Sequence, residues 1–197
     1  MKIFKIAIIA LLAVGLLLPA CGSKGSSGAS TPQALFEDLK GKNPEDFSDV
    51  AGYIAPDELP IITFTMDIMA AFSAGFSPDK TLKPKYEALR KKYNLPPVDK
   101  SMMMKMNNPD AVAKYASEKY AGVDHTGFIK DITALLDKAP GKKAKTEKIY
   151  AELKNVQISG DTATGVVVDK SGKSDKISFK KVNGKWYLSL KAMMRMK

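Results

Sequence analysis

Cysteine and histidine are almost absent from this chain of 197 residues, which holds one of each, Cys21 and His125. A lone cysteine allows no intramolecular disulfide. No cysteines or histidines stand at the spacing of a metal site, and the chain lacks a glycine-rich phosphate loop and a nucleophile elbow. The common signatures of metalloenzymes, nucleotide-binding proteins and serine hydrolases are therefore missing. We expect neither a cofactor nor a catalytic activity.

The apolar run near the N-terminus is too short to span a membrane. Residues 6–18 form a run of 13 residues, fewer than the roughly 20 that a spanning helix needs. The run follows Lys2 and Lys5, and a small residue, Ala20, comes shortly after it. A basic start, a short apolar core and small residues before a cleavage site are typical of a secretory signal peptide. We assign residues 1–20 to such a signal.

The end of this segment, Leu18-Pro19-Ala20-Cys21, resembles the lipobox of bacterial lipoproteins. The resemblance implies that a transferase attaches diacylglycerol to Cys21 and that a peptidase makes Cys21 the first mature residue. Two or more acyl chains anchor a protein stably to a membrane. The alternatives are a plain signal peptide with a chance cysteine, or an uncleaved anchor. Because Gly22 rather than aspartate follows, the resemblance implies the outer membrane if the cell has two membranes.

Glycine and serine dominate the segment that follows Cys21. Residues 22–33 read GSKGSSGASTPQ and show no apolar periodicity. Such a composition predicts a flexible tether. The remaining residues, 34–197, are enough for one domain.

The first part of this domain carries helix signals. A capping residue precedes a proline at Thr31–Pro32 and again at Asn108–Pro109. The segment 57–75 is strongly apolar, Met69 and Phe72 included, and we expect a buried helix there. The pattern predicts helices over residues 31–39, 44–54, 57–75, 77–93, 108–121 and 124–139.

From residue 145 onward the apolar residues alternate with polar ones. Asn183-Gly184 is a strong signal for a tight hairpin, and the alternation slips near residues 154–155, which indicates a kink. The pattern predicts strands over residues 147–159, 163–169, 176–182 and 185–193. The fold class is therefore α+β: N-terminal helices (34–139) pack on the apolar face of a C-terminal antiparallel meander of about four strands (145–193), whose other face is basic.

Three pieces of the sequence resemble small bacterial lipoproteins with a cystatin-like domain, members of the superfold named after nuclear transport factor two. They are TPQALFEDL and EDFSDVAGYI, which look like the opening helices, and GDTATGVVVDKSGKSDKISFKKVNGKWYLSL, which looks like the closing strands. The resemblance implies a cystatin-like fold. Most such lipoproteins have no assigned activity, so it implies little about function.

Positive charge is concentrated in the C-terminal part. Residues 140–197 contain 14 lysines and arginines against five acidic residues, whereas residues 22–139 contain 15 against 16. A basic sheet face could bind anionic lipid headgroups or acidic polymers of the cell envelope. It could equally serve only to keep the protein soluble. We expect no nucleic-acid partner for an exported protein.

Two further features could carry chemistry. Some enzymes of the superfold use an Asp/His pair in a pocket, and Asp124 and His125 could form one; the alternative is a capping pair at a surface turn. Methionines cluster at residues 102–104 and 106 and at residues 193, 194 and 196. These clusters could pack, form an adaptable partner surface or bind cuprous copper.

The sequence as a whole predicts a membrane-anchored envelope lipoprotein without catalytic activity. It would bind a partner protein or a small apolar ligand through the cleft between helices and sheet, or through the basic sheet face. An open apolar cleft would favour a small ligand, and a filled cleft would favour a scaffold role. The alternatives are an enzyme that uses Asp124 and His125, or an electrostatic binder of anionic envelope polymers.

Overall fold

A computed structural model of the protein describes residues 27–42, 46–97, 99, 101–102, 108–137 and 149–190. Over these residues it contains six α-helices and a four-stranded antiparallel sheet, which confirms the α+β class. The helices are α1 (Pro32–Leu39), α2 (Phe47–Val50), α3 (Leu59–Phe76), α4 (Leu82–Lys92), α5 (Pro109–Lys119) and α6 (His125–Asp137), with a 3₁₀ turn at Ala51–Tyr53. The strands are β1 (Tyr150–Ser159), β2 (Thr162–Asp169), β3 (Ser174–Val182) and β4 (Lys185–Leu188). The assigned signal peptide and Cys21 lie outside the described residues.

Side-chain caps start three of the helices where the sequence predicts them. The side-chain oxygens of Thr31, Asn108 and Asp124 accept hydrogen bonds from backbone amides three residues further on, at 3.0, 3.1 and 3.0 Å. Each bond satisfies an amide that has no partner inside its helix.

The sheet is a meander in the order β1-β2-β3-β4. Asn183 and Gly184 both have positive φ, 50° and 79°, as the predicted two-residue hairpin requires. The predicted kink is confirmed, because the β1–β2 register shifts between Lys154 and Gln157 and Asn155 has a φ of 52°. Strand β4 stops at Leu188, earlier than expected, because the amide of Leu190 donates to Glu58 Oε2 at 2.7 Å instead of continuing the ladder.

Among the described residues, the helices that line the core of the sheet are the first two. That core joins residues of α1 and α2 to the inner face of the strands: Leu35, Phe36, Leu39, Val50, Ala163, Val167, Ile177, Phe179, Trp186 and Leu188. Helices α3 to α6 build separate cores, one around Phe64 and one around Phe128. The expectation that all the helices over residues 34–139 cover the sheet was therefore wrong. A sheet face of four short strands is filled by α1 and α2, so the longer helices pack on one another.

The chain before α1 adds a short strand-like segment to the sheet. Ala29 and Trp186 exchange two backbone hydrogen bonds, at 3.0 and 2.7 Å, and the amide of Ser27 donates to the carbonyl of Gly52. Further along the same edge, Ile54 bridges Leu188 in parallel. The segment covers an edge that would otherwise expose unpaired backbone groups. The predicted tether boundary at residue 33 is therefore too late, since the chain joins the domain by residue 27.

A substitution at Gly28 tests the docking of this segment against β4. A Cβ atom at Gly28 would lie 2.7 Å from Tyr187 Cε1 and 2.8 Å from Lys185 Cβ, so Gly28→Val must displace the segment. We expect the free energy of unfolding to fall by about 1–3 kcal/mol, as overpacking does elsewhere. Denaturant unfolding measures the change.

Gly75→Ala is the matched control for this substitution. No atom lies within 4 Å of a Cβ at Gly75, which sits in α3, so the control should gain roughly 0.5–1 kcal/mol. Wild-type stability of Gly28→Val would contradict the docking.

Candidate functional site

A groove lies between α4 and α6. It has a volume of about 400 Å³ and combines an apolar floor with charged groups on its rim. It is lined by Asp79, Leu82, Lys85, Ala88, Leu89, Asp131, Ala134 and Leu135. The volume lies within the range of binding pockets, roughly 300–1,000 Å³. We call this the α4–α6 groove.

The rim of the α4–α6 groove is held by a polar cluster. Asp131 Oδ2 accepts hydrogen bonds from Lys92 Nζ and from the Tyr93 hydroxyl, both at 2.7 Å. These two bonds hold the pKa of Asp131 below its usual value, so the carboxylate is charged at neutral pH. This wall of the groove therefore carries an ion pair between Asp131 and Lys92.

An apolar stripe lies exposed on α3. Met69, Phe72 and Phe76 are 58%, 48% and 83% exposed, and their spacing of three and four residues places them on one helix face. The rings of Phe72 and Phe76 stack at 6.3 Å. Phe76 stands only three residues before Asp79 of the α4–α6 groove, so the two features lie at the same end of the helical layer. Exposed apolar patches of this kind mark interaction sites. We call these three residues the α3 stripe.

The sequence predicts α3 as a buried helix, and this holds for only one side of it. Phe64 and Ile68 are buried, but Met69 and Phe72 are not. Helix α3 has the length and composition of a membrane span, yet 44% of its residues are buried inside the domain. An apolar helix without a polar face gives no periodic signal, so the exposed side could not be read from the sequence.

A buried carboxylate links the helices beneath this surface. Asp67 in α3 is fully buried and accepts hydrogen bonds from the hydroxyls of Tyr86 and Tyr120 at 2.7 and 2.8 Å, and from Arg90 Nη1 at 2.7 and 2.9 Å. Arg90 also donates to the carbonyl of Pro96. Burial, together with the neighbouring carboxylate, raises the pKa of both phenols, so they remain hydrogen-bond donors. The network joins α3, α4 and the end of α5.

The described contacts give this network a structural role between the helices. None of its side chains lines the α4–α6 groove or the other described cavity. Every oxygen of Asp67 is engaged, and a buried charge of this kind must be paired to be tolerated. The only sign of this network in the sequence was Asp67 itself, an aspartate that interrupts an apolar helix.

Asp124 and His125 do not converge on a pocket. Asp124 caps α6, as described above. His125 is half-buried, with Nδ1 2.9 Å from the hydroxyl oxygen of buried Thr63, and burial lowers its pKa. Neither residue lines a described cavity. The structure therefore favours the capping role for Asp124, and it places His125 inside the helical layer rather than at a surface turn.

The cleft between helices and sheet is almost filled. A cavity of about 90 Å³ remains, well below the size of a ligand pocket. Its lining is Leu39, Lys42, Val50, Tyr150, Ile177, Leu188 and Leu190. A cleft filled to this extent favours a scaffold role over the binding of a small apolar ligand.

The outer face of the sheet is less basic than the sequence suggests. Lys154 pairs with Glu152 at 2.9 Å, and Lys180 pairs with Asp57 from the turn before α3. Lys176 and Lys185 are exposed on the same face. We call the four lysines at positions 154, 176, 180 and 185 the outer sheet lysines.

Only one residue of the methionine clusters is described. Met102 is buried and packs with Phe64 and Tyr120 in a helical core, which fits the packing interpretation. Met103, Met104, Met106, Met193, Met194 and Met196 lie outside the described residues. Within the described part of the chain, no group of three or more His, Cys, Asp or Glu side chains could hold a metal ion.

Comparisons of the chain with protein-family models, curated proteins and solved structures find no match.

Replacing Asp67 tests the central role of the buried network. Asp67→Ala leaves Arg90 partly buried without its partner, and we expect the free energy of unfolding to fall by about 3–5 kcal/mol. Asp131→Ala is the matched control. It removes an exposed pair with Lys92 and should cost about 1 kcal/mol or less. Equal losses in the two variants, measured by denaturant unfolding, would contradict the assignment.

Proposed function

We propose that this protein is a lipid-anchored component of the bacterial cell envelope whose domain binds a partner protein and has no catalytic activity of its own. The resemblance of Leu18-Pro19-Ala20-Cys21 to a lipobox supports the anchor. The α3 stripe beside the α4–α6 groove is the observation that carries the binding role. If the cell has two membranes, the outer membrane is the proposed location, because Gly22 follows the cysteine.

The α3 stripe has the chemistry of a protein contact. Aromatic residues and methionine are enriched at the buried centre of protein interfaces, which a polar rim surrounds. Phe72 and Phe76 form a stacked pair, and Lys85 and Asp131 stand on the rim of the adjoining groove. An apolar centre with charges of both signs around it suits a folded protein partner or an amphipathic helix.

Two further points support a binding role without catalysis. The side chain of Asp124 is used as a helix cap, so the Asp/His pair of the enzyme alternative is not assembled. The cavity in the helix–sheet cleft is too small for a typical ligand, so binding in that cleft is also disfavoured.

A cystatin-like relationship remains part of this proposal. It is supported by the antiparallel meander of β1 to β4 and by the packing of α1 and α2 on its inner face. The helical layer of α3 to α6 would then be an addition that carries the binding surface.

Metabolic labelling tests the anchor. Cells that express the full chain should incorporate a clickable fatty acid into this protein, and the protein should fractionate with membranes. Cys21→Ser should abolish both, because the serine cannot form the thioether to diacylglycerol. Equal labelling of the two proteins would contradict lipidation at Cys21.

Photo-crosslinking in cells tests the binding surface. A benzoyl-phenylalanine at position 76 should give a discrete crosslinked product, and Phe72→Ser in the same chain should reduce its yield severalfold. Ile158 is the matched control position, because it is an exposed apolar residue (58%) on β1. We expect no discrete product there. The same products at both positions, or none at position 76, would contradict the proposed surface.

A further inference from the structure

The distance between the lipid-bearing residue and the folded domain is short. Cys21 and Ser27 are six residues apart, and a fully extended chain spans at most about 3.3–3.6 Å per residue. Ser27 can therefore lie no more than about 20 Å from the lipid attachment point, whatever path the chain takes. This step rests on the proposed lipidation of Cys21.

The point where the chain joins the domain is at the β4 edge of the sheet. Ser27 bonds to Gly52, and Gly28 lies against Tyr187 and the Cβ of Lys185. Tyr187 is opposite Lys180 in the β3–β4 ladder. The chain therefore joins the domain next to Lys180 and Lys185, two of the outer sheet lysines.

The α3 stripe lies toward the C-terminal end of α3, and the N-terminal end of this helix is at the sheet edge. Helix α3 begins beside the same sheet edge, because the carboxylate of Glu58 accepts from the hydroxyl of Ser189 at 2.8 Å and Ala55 donates to Leu188 at 2.9 Å. With 18 residues at 1.5 Å each, α3 is about 27 Å long, so Phe76 lies at most about that distance from its start at this edge. Phe76 is at its far end.

Positive charge is also more concentrated in the sheet than in the helices. Residues 150–188, which form the sheet, contain seven lysines against four acidic residues, whereas residues 22–139 are balanced. Lys176 and Lys185 are exposed on the outer face. An anionic bilayer surface attracts exposed lysines within about a Debye length. The tether keeps Ser27 within about 20 Å of the lipid attachment point, which allows the outer sheet lysines to come within that range.

From the attachment point and the charge distribution, we propose that the outer sheet lysines contact anionic lipid headgroups and that this contact, together with the short tether, orients the domain with the α3 stripe away from the membrane. The α3 stripe is then accessible to a partner from the aqueous side. The lipid contact is a membrane-binding surface separate from the partner surface.

Lysine modification followed by mass spectrometry tests this orientation. The chain from Cys21 onward is coupled at its only thiol to a diacyl maleimide and bound to vesicles of phosphatidylcholine and phosphatidylglycerol. A membrane-impermeant acetylating reagent is then added. We expect modification of Lys176 and Lys185 to slow severalfold relative to the uncoupled chain. Lys80 and Lys83, exposed near the α3 stripe, should be unaffected and serve as internal controls.

Several outcomes would overturn the proposal. Protection of Lys80 and Lys83, or equal rates at all four lysines, would mean a different orientation. Equal protection on vesicles of phosphatidylcholine alone would remove the role of anionic lipid. Protection of Lys176 and Lys185 by polyphosphate but not by vesicles would assign the face to an anionic polymer instead. Because the anchor is attached chemically, these results do not depend on whether cells lipidate Cys21.

Discussion

The pairing of Ala29 with Trp186 at the edge of β4 is the constraint on which the arrangement of this molecule depends. This pairing makes the end of a glycine- and serine-rich segment part of the sheet. It also fixes the edge of the domain to which a lipid on Cys21 would be tethered. The same edge receives Ile54 and, through Glu58, the start of α3. The segment that follows Cys21 in the chain, the sheet and the long helix therefore meet at one edge. The proposed orientation follows from this meeting point.

A second constraint, internal to the helices, holds α3, α4 and the end of α5 together. Asp67 gathers hydrogen bonds from α4 and from the end of α5 onto α3. A buried carboxylate tolerates few alternative arrangements, because each lost donor leaves charge without compensation. The network therefore supports the helices that carry the exposed aromatic residues. A surface held rigid before binding pays less conformational entropy on association.

Local signals in the sequence predicted local structure well. The caps at Thr31, Asn108 and Asp124, the Asn183-Gly184 hairpin and the kink near residue 155 depend on residues close in the chain, and all are present. What could not be predicted depends on distant partners. The docking of Ala29, the pairing of Asp67 and the exposure of Phe72 and Phe76 each depend on elements that pack from elsewhere in the chain. Neither the assignment of all helices to the sheet nor the Asp124/His125 pair was supported, because composition and adjacency do not specify tertiary contacts.

Native-state hydrogen exchange at the Ala29 amide tests the central claim most directly. In the described structure this amide donates to the carbonyl of Trp186 at 3.0 Å, and the Trp186 amide donates back at 2.7 Å. We expect Ala29 to exchange orders of magnitude more slowly than an unstructured amide, with protection close to that of Trp186. Exchange of Ala29 at the rate of a free chain, while Trp186 stays protected by the rest of the sheet, would show that the segment is not docked. The attachment point, and the orientation derived from it, would then be contradicted.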